Sequence, residues 1–234
     1  MPVFTVPDSH GSALHEFNPC HDSGTGQFCA GHSGSFAVFE RQALHNLLRT
    51  SRTATGVSDT SSSADKPTLA AEGGALKAKA DQNFRRALRS VWNQRRRRFD
   101  SPEDVGTFVV ETASTVSEGL LKPGQSVWRT WETKNHQTPV REIPDQFKAF
   151  TRELHQRLSS GADPVGTAAW VEYVFDGHLH PMADGVGRTA KALSAFVLAR
   201  AGHGLPTYRG RDDYYANINK SLAEWTRYYR TMFA

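Results

Sequence analysis

The stretch Gly177-His178-Leu179-His180-Pro181-Met182-Ala183-Asp184-Gly185-Val186-Gly187-Arg188-Thr189-Ala190-Lys191 constrains this chain more than any other. It lies between two apolar segments, DPVGTAAWVEYVF before it and ALSAFVLARAG after it. Pro181 disfavours the helical conformation at His180, so the arriving helix ends there and leaves His180 in extended backbone. Gly185 and Gly187 permit a tight turn and let an anion approach backbone N–H groups closely. A second helix, predicted over Thr189–Ala201 and stopped by Gly202, points its N-terminal dipole at the same turn. Any fold of this chain must therefore hold a helix–loop–helix unit, with a histidine at the first helix end and an anion-binding turn at the second.

The residue types in this unit suit phosphoryl or nucleotidyl transfer. His180 has the pKa range of a general base near neutral pH. Asp184 is a hard oxygen ligand beside a phosphate cradle, where Mg²⁺ is wanted. Arg188 and Lys191 stand at i, i+3 and are predicted to face the loop together. A base, a metal ligand, an anion nest and two cations fall within twelve residues. That is the set needed to position phosphates and neutralise developing charge. Each residue alone reads better as a turn, a cap or a solvated charge; the ordered set does not.

The rest of the 234 residues sorts into three zones. Residues 1–49 are rich in His, Gly and Ser and end in FAVFERQALHNLLRT, whose apolar spacing predicts a short amphipathic helix. Residues 50–74 are rich in Ser, Thr, Ala and Gly with no apolar period, and read as a flexible linker. Residues 75–234 carry the strong periodic segments and read as the folded domain. Helices are predicted over 75–99, from the Ser101 cap to about Leu121, from Pro144 to Leu158, from Asp163-Pro164 onward, and over 212–233. The alternation around Val127, Trp128, Arg129, Thr130 and Trp131, with a polar turn at Lys134-Asn135-His136, predicts a small β-hairpin. The expected fold class is all-α with one hairpin.

Composition excludes some classes. No run of 18 apolar residues exists, so no transmembrane helix and no membrane partner are expected. The N-terminus lacks a basic region and an apolar core, so a secretory leader is not expected. Two cysteines cannot form a disulfide framework, which favours a reducing, cytoplasmic setting. The formal net charge of +4 permits anionic ligands. The run Arg95-Arg96-Arg97-Arg98 reads as a solvated helix end that suits the helix dipole. No interleaved aromatics or groove-reading motif accompany it, so nucleic acid is not the expected partner.

In register and without gaps, His180, Pro181, Asp184, Gly185, Gly187 and Arg188 resemble the Fic family (Fic/Doc, or Fido) signature H-P-F-x-[D/E]-G-N-G-R-x-x-R. The likeness extends outward. PGQSVWRTWETKNHQTPVREIPDQFKAF resembles the family's hairpin, or flap, and the helix after it. DPVGTAAWVEYVF and ALSAFVLARAGHGLP resemble the helices flanking the signature, and RDDYYANI resembles a later Tyr-bearing helix. The resemblance covers residues of roughly 84–230. It implies a mostly helical fold and transfer of AMP, or another phosphate-containing moiety, from a nucleotide such as ATP to a hydroxyl of a target protein. By resemblance His180 is the base and Asp184 holds Mg²⁺. Gly185, Val186 and Gly187 form the anion hole, Arg188 clamps a phosphate, and Lys191 stands where a second Arg is usual. Tyr215, or its neighbour Tyr214, contacts the nucleotide base. The target protein would dock on the flap. Met182, Val186 and Lys191 depart from the pattern. The last two touch phosphate anchoring, so a degenerate Fic-fold binding module is the alternative reading.

Ser114 to Gly119 fits the family's inhibitory pattern [S/T]-x-x-x-E-[G/N], which would make Glu118 an intramolecular inhibitor; inhibitors can also be separate chains. Its place directly ahead of the flap favours a chance match in a surface helix. Cys20, His21, Cys29 and His32 are zinc-ligand types, but their spacing is not that of a standard finger, and zinc is the weaker reading.

Overall fold

A computed structural model describes residues 36–50, 74–132 and 138–233. Cys20, His21, Cys29, His32, most of the 50–74 stretch and the turn at Lys134-Asn135-His136 lie outside the described residues. The described α-helices are α1 (Phe36–Thr50), α2 (Gly74–Asn93), α3 (Pro102–Ser117), α4 (Ile143–Ser160), α5 (Pro164–Glu172), α6 (Val186–Arg200), α7 (Arg211–Ile218) and α8 (Leu222–Arg230). A wider π-helical segment, Tyr173–Leu179, prolongs α5.

Helix α6 is the axis of the fold. Every residue from Thr189 to Ala199 is buried, so α6 has no solvent face, as its uniformly small and apolar sequence demands. Around it pack α2, α3, α5 and the π segment. Phe99, Phe108 and Phe196 meet with ring centroids 4.7–5.8 Å apart, and Phe150 stacks on Trp170 at 5.1 Å. Helix α1 joins the same core through Phe39, Ala43 and Leu47. It is tied to the chain after α6 by Asn46, whose amide donates to the Pro206 carbonyl at 2.5 Å, and by Arg49, which donates to the Tyr208 carbonyl at 3.0 Å.

Caps set the helix starts where the sequence predicts them. Ser101 accepts the Asp104 N–H at 3.2 Å ahead of Pro102. Asp163 accepts the N–H groups of Val165 and Gly166 at 3.2 and 2.9 Å ahead of Pro164. Helix ends follow tertiary contacts instead. Helix α2 stops at Asn93, so Arg95–Arg98 lies beyond it, not inside it. Arg95 sits 4.4 Å over the Trp92 ring, while Arg97 donates to Gln94 at 2.9 Å and pairs with Asp104 of α3. These two arginines close the turn between α2 and α3. The helix expected over 212–233 is two helices, because Ser221 and Glu224 form a reciprocal capping box that starts α8.

The expected hairpin is not confirmed, since its turn at Lys134-Asn135-His136 lies outside the described residues. Among the described residues it contains no strand. Val127–Arg129 instead lies antiparallel to the loop after His180. Trp128 bridges Met182, the Arg129 N–H donates to the Pro181 carbonyl at 2.9 Å, and the Ala183 N–H donates to the Val127 carbonyl at 2.7 Å. The alternation correctly signals extended backbone, but a period of two does not say which segment that backbone pairs with.

Candidate functional site

The site begins with the strain at the end of the π segment. The His180 N–H donates to the Phe175 carbonyl, five residues back, at 3.0 Å. His180 has φ 41° and ψ 59°, the one positive φ outside glycine among the described residues. It is therefore left-handed, not extended as the sequence suggests. Pro181 does bar the right-handed helix here, and the closing N–H bond draws the backbone to the left-handed side. Strain of this kind persists where surrounding contacts over-determine it, and it clusters at working sites.

The His180 ring is oriented by its own helix. Nδ1 lies 3.2 Å from the Asp176 carbonyl oxygen. A carbonyl only accepts, so Nδ1 carries a proton, which in a neutral ring makes Nε2 the basic nitrogen. That is the tautomer a base needs.

The turn that follows is shaped by glycine. Gly185 has φ 72°, and a Cβ there would lie 2.5 Å from Val116 Cγ1 of α3. Both the backbone angle and the close approach of α3 require glycine. Helix α6 starts at Val186, one turn before the predicted Thr189, because Gly187 takes helical geometry. The N–H groups of Val186, Gly187 and Arg188 therefore form the first turn and have no acceptor within the helix. The first intrahelical acceptor is the Gly185 carbonyl, which takes the Thr189 N–H at 2.8 Å.

Arg188 pairs with Asp184 at 2.6 Å, and its Nη1 is buried without a hydrogen-bond partner. A guanidinium nitrogen in that state fits an incoming phosphate oxygen. Among the described residues no three His, Cys, Asp or Glu side chains gather as a metal cage. A Mg²⁺ at Asp184 would thus have one protein carboxylate, with phosphates and water completing its shell, which is the usual way this ion is held. The residues fit the ion on those terms.

Lys191 does not face the loop with Arg188. It is buried, with Nζ 4.1 Å from the Tyr214 ring centroid and 5.4 Å from that of Tyr208. It lies beside a carboxylate hub that the sequence reading missed. Glu172 is 0% exposed. Its Oε1 accepts from Tyr208 at 2.5 Å, Ser194 at 2.7 Å and Tyr229 at 3.3 Å, and its Oε2 accepts from Tyr214 at 3.1 Å. The Tyr214 hydroxyl is also 3.1 Å from Asp176 Oδ2. Burial, then the Glu172 charge, pushes the Tyr208 and Tyr229 hydroxyls well above the ordinary tyrosine range. Burial, then Asp176, does the same to Tyr214. The signal was present: two acids, Glu172 and Asp176, interrupt an otherwise apolar helix, and buried acids need partners.

Two other expected residues are placed by the hub and core. Tyr214 is buried in the hub, whereas Tyr215 is half-buried and edge-on to it at 5.2 Å. Val186 contributes its N–H to the turn, but its side chain is in the core at 4% exposure. Glu118 pairs with Arg86 of α2, whose hydrogen bond and charge hold its carboxyl below the usual range. The cation at the turn, Arg188, has Asp184 as its partner instead.

No family model and no curated protein matches this sequence. Solved structures do. The chain is similar to IbpA Fic2 covalently tethered to Cdc42, at 14% identity and a TM-score of 0.62, covering 95% of this chain and 70% of that one. A histidine-to-alanine variant of IbpA Fic2 in complex with adenylylated Cdc42 matches at 13% identity and a TM-score of 0.59 over the same shares. A Fic-domain signalling protein from Bacteroides thetaiotaomicron matches at 16% identity and a TM-score of 0.54, covering 83% of this chain and 82% of that one. The fold is the mostly helical Fic fold. Among the described residues no helix is long and apolar enough to cross a membrane.

Proposed function

We propose that this chain is a Fic-type transferase that moves AMP, or another phosphate-containing moiety, from a nucleotide to a hydroxyl of a target protein. The observation that carries the reading is the pair of features at the two ends of the 181–185 loop: His180, whose Nδ1 is held against the Asp176 carbonyl, and the start of α6, where Arg188 has a buried, unpartnered nitrogen. In this reading His180 Nε2 takes the proton of the target hydroxyl as its oxygen attacks phosphorus. The bond to the leaving phosphate group breaks, and that group departs with the electron pair. The Val186, Gly187 and Arg188 N–H groups and the Arg188 guanidinium hold phosphate oxygens. Mg²⁺ held by Asp184 would neutralise phosphate charge when bound. Tyr215 packs on the nucleotide base, since Tyr214 is committed to the hub.

The 127–130 segment supplies a place for the target. Its inward edge is used by the 181–183 loop, so the amides of Trp128, which donates to Ser126 Oγ at 3.1 Å, and Thr130 belong to the outer edge. An extended target segment can add there as a further strand and bring its hydroxyl toward His180. The structures of IbpA Fic2 with Cdc42 support a protein target for this fold.

Labelled ATP and other labelled nucleotides, incubated with lysate and Mg²⁺ and read by mass spectrometry, test the reading. Protein labelling that disappears in His180→Ala is the expected result. The inward turn of Lys191 and the core position of Val186 favour a second reading, a binding module without turnover. Nucleotide titration with and without Mg²⁺ separates the two: the transferase shows metal-dependent binding, and loss of all nucleotide binding rejects it.

A further inference from the structure

We infer that Arg129 is a positioning residue that holds the His180 backbone and joins it mechanically to the chain at Trp131 and Thr138. The inference rests on the transferase reading for its kinetic consequence, though not for its structural one. Arg129 is 2% exposed, and each of its guanidinium nitrogens donates to a backbone carbonyl. Nε donates to His180 at 2.9 Å, Nη1 to Trp131 at 2.8 Å and Nη2 to Thr138 at 2.8 Å. Its own backbone N–H donates to Pro181 at 2.9 Å. One residue thus grips the carbonyls of both His180 and Pro181.

Two features make this more than a loop brace. His180 is the residue in strained left-handed backbone, and a carbonyl bond to Nε resists its relaxation. The two remaining nitrogens clamp Thr138 and Trp131, the latter directly after the 127–130 segment whose outer edge faces away from the signature loop. Glu132 adds to the clamp: its Oε1 accepts the Val140 N–H at 3.0 Å, and its Oε2 lies 3.9 Å from Arg129 Nη1. The target-docking edge and the base are therefore anchored on the same planar fork. Lysine carries the charge but has no fork, so it cannot span the three carbonyls at once.

The test compares wild type, Arg129→Lys and Glu132→Ala. Circular dichroism and thermal melting check folding, and NMR follows the ¹⁵N ring signals and backbone shifts of His180. Both variants should shift or broaden the His180 signals, Arg129→Lys more strongly. In a labelling assay Arg129→Lys should lower kcat by about 10–100-fold, the cost of misplacing a reacting group, with the nucleotide KM nearly unchanged. Unchanged His180 signals in a folded Arg129→Lys overturn the inference. If Arg129→Lys does not fold, Glu132→Ala decides: its side chain is exposed, and unmoved His180 signals there reject the coupling. A wild type that turns over no nucleotide defeats the transferase reading but leaves the NMR outcome intact, so the two failures are distinguishable.

Discussion

Arg188 and Lys191 leave α6 within one turn of each other, yet Arg188 reaches Asp184 beside the turn while Lys191 lies under two tyrosine rings. The loop above α6 and the hub below it differ in the same way. The loop has a strained histidine, a left-handed glycine and a guanidinium nitrogen without a partner. In the hub, Glu172 takes hydrogen bonds from Ser194 and three tyrosines. An unsatisfied, strained region stores interaction energy for a ligand, whereas a satisfied one contributes to the stability that holds it in place. On this view loop changes should alter rate with little effect on folding, and hub changes should do the reverse.

The sharpest test of that division is His180→Ala. Transfer should fall by about 10²–10⁴-fold, the usual loss on removing a general base, with the thermal midpoint nearly unchanged. A fall in midpoint matching the fall in rate would break the division at once.

Glu172→Ala tests the other side. It strands the Ser194, Tyr208, Tyr214 and Tyr229 hydroxyls that now converge on the carboxylate. Breaking such a buried polar set costs about 3–5 kcal/mol. For a domain of this size that lowers the melting midpoint by roughly 6–20 °C, readable by calorimetry. A midpoint within a degree of wild type would show that the hub contributes little.

Alkaline pH acts on the same hub without mutation. The folded hydroxyls of Tyr208, Tyr214 and Tyr229 are pushed upward, first by burial. The unfolded chain loses those protons near pH 10, while the folded chain keeps them. Stability should therefore be level from about pH 7 to pH 9 and fall as pH rises through 10, by about 1.4 kcal/mol per tyrosine per pH unit. Urea midpoints across that range measure the slope, and a flat profile contradicts the buried hydroxyls.

Val186→Asn has the smallest expected effect and sharpens the boundary. The family pattern places an asparagine there, but this side chain is in the core. A buried amide without partners should cost about 1–3 kcal/mol of stability and leave nucleotide affinity unimproved. Tighter nucleotide binding by the folded variant would move Val186 from the hub side of the comparison to the loop side.

The helix–loop–helix unit and the caps at Ser101 and Asp163 were legible in the sequence because proline, glycine and capping residues act locally. Three things were not. Spacing of i, i+3 places Arg188 and Lys191 near one another, but a helix buried on all sides offers Lys191 no exposed direction, so packing decides. The extended pattern at Val127–Arg129 is local, but its partner at residues 181–183 is more than fifty residues away. The π turn leaves the apolar spacing of its helix almost unchanged, so nothing in the 3.6-residue period signals it.

That turn has a consequence for how the chain tolerates change. From Tyr173 to Leu179 the helix is wound wider than normal, and it ends where His180 bonds back to Phe175. Upstream it fixes Glu172 among the tyrosines, and downstream it fixes the His180 ring through the Asp176 carbonyl. Loss of one residue would let the segment rewind as ordinary helix, and one residue of α-helix is worth about 100° of rotation. Glu172 and His180 would then no longer both face their own neighbours. The segment works as a gauge block between two fittings: its length in residues is fixed.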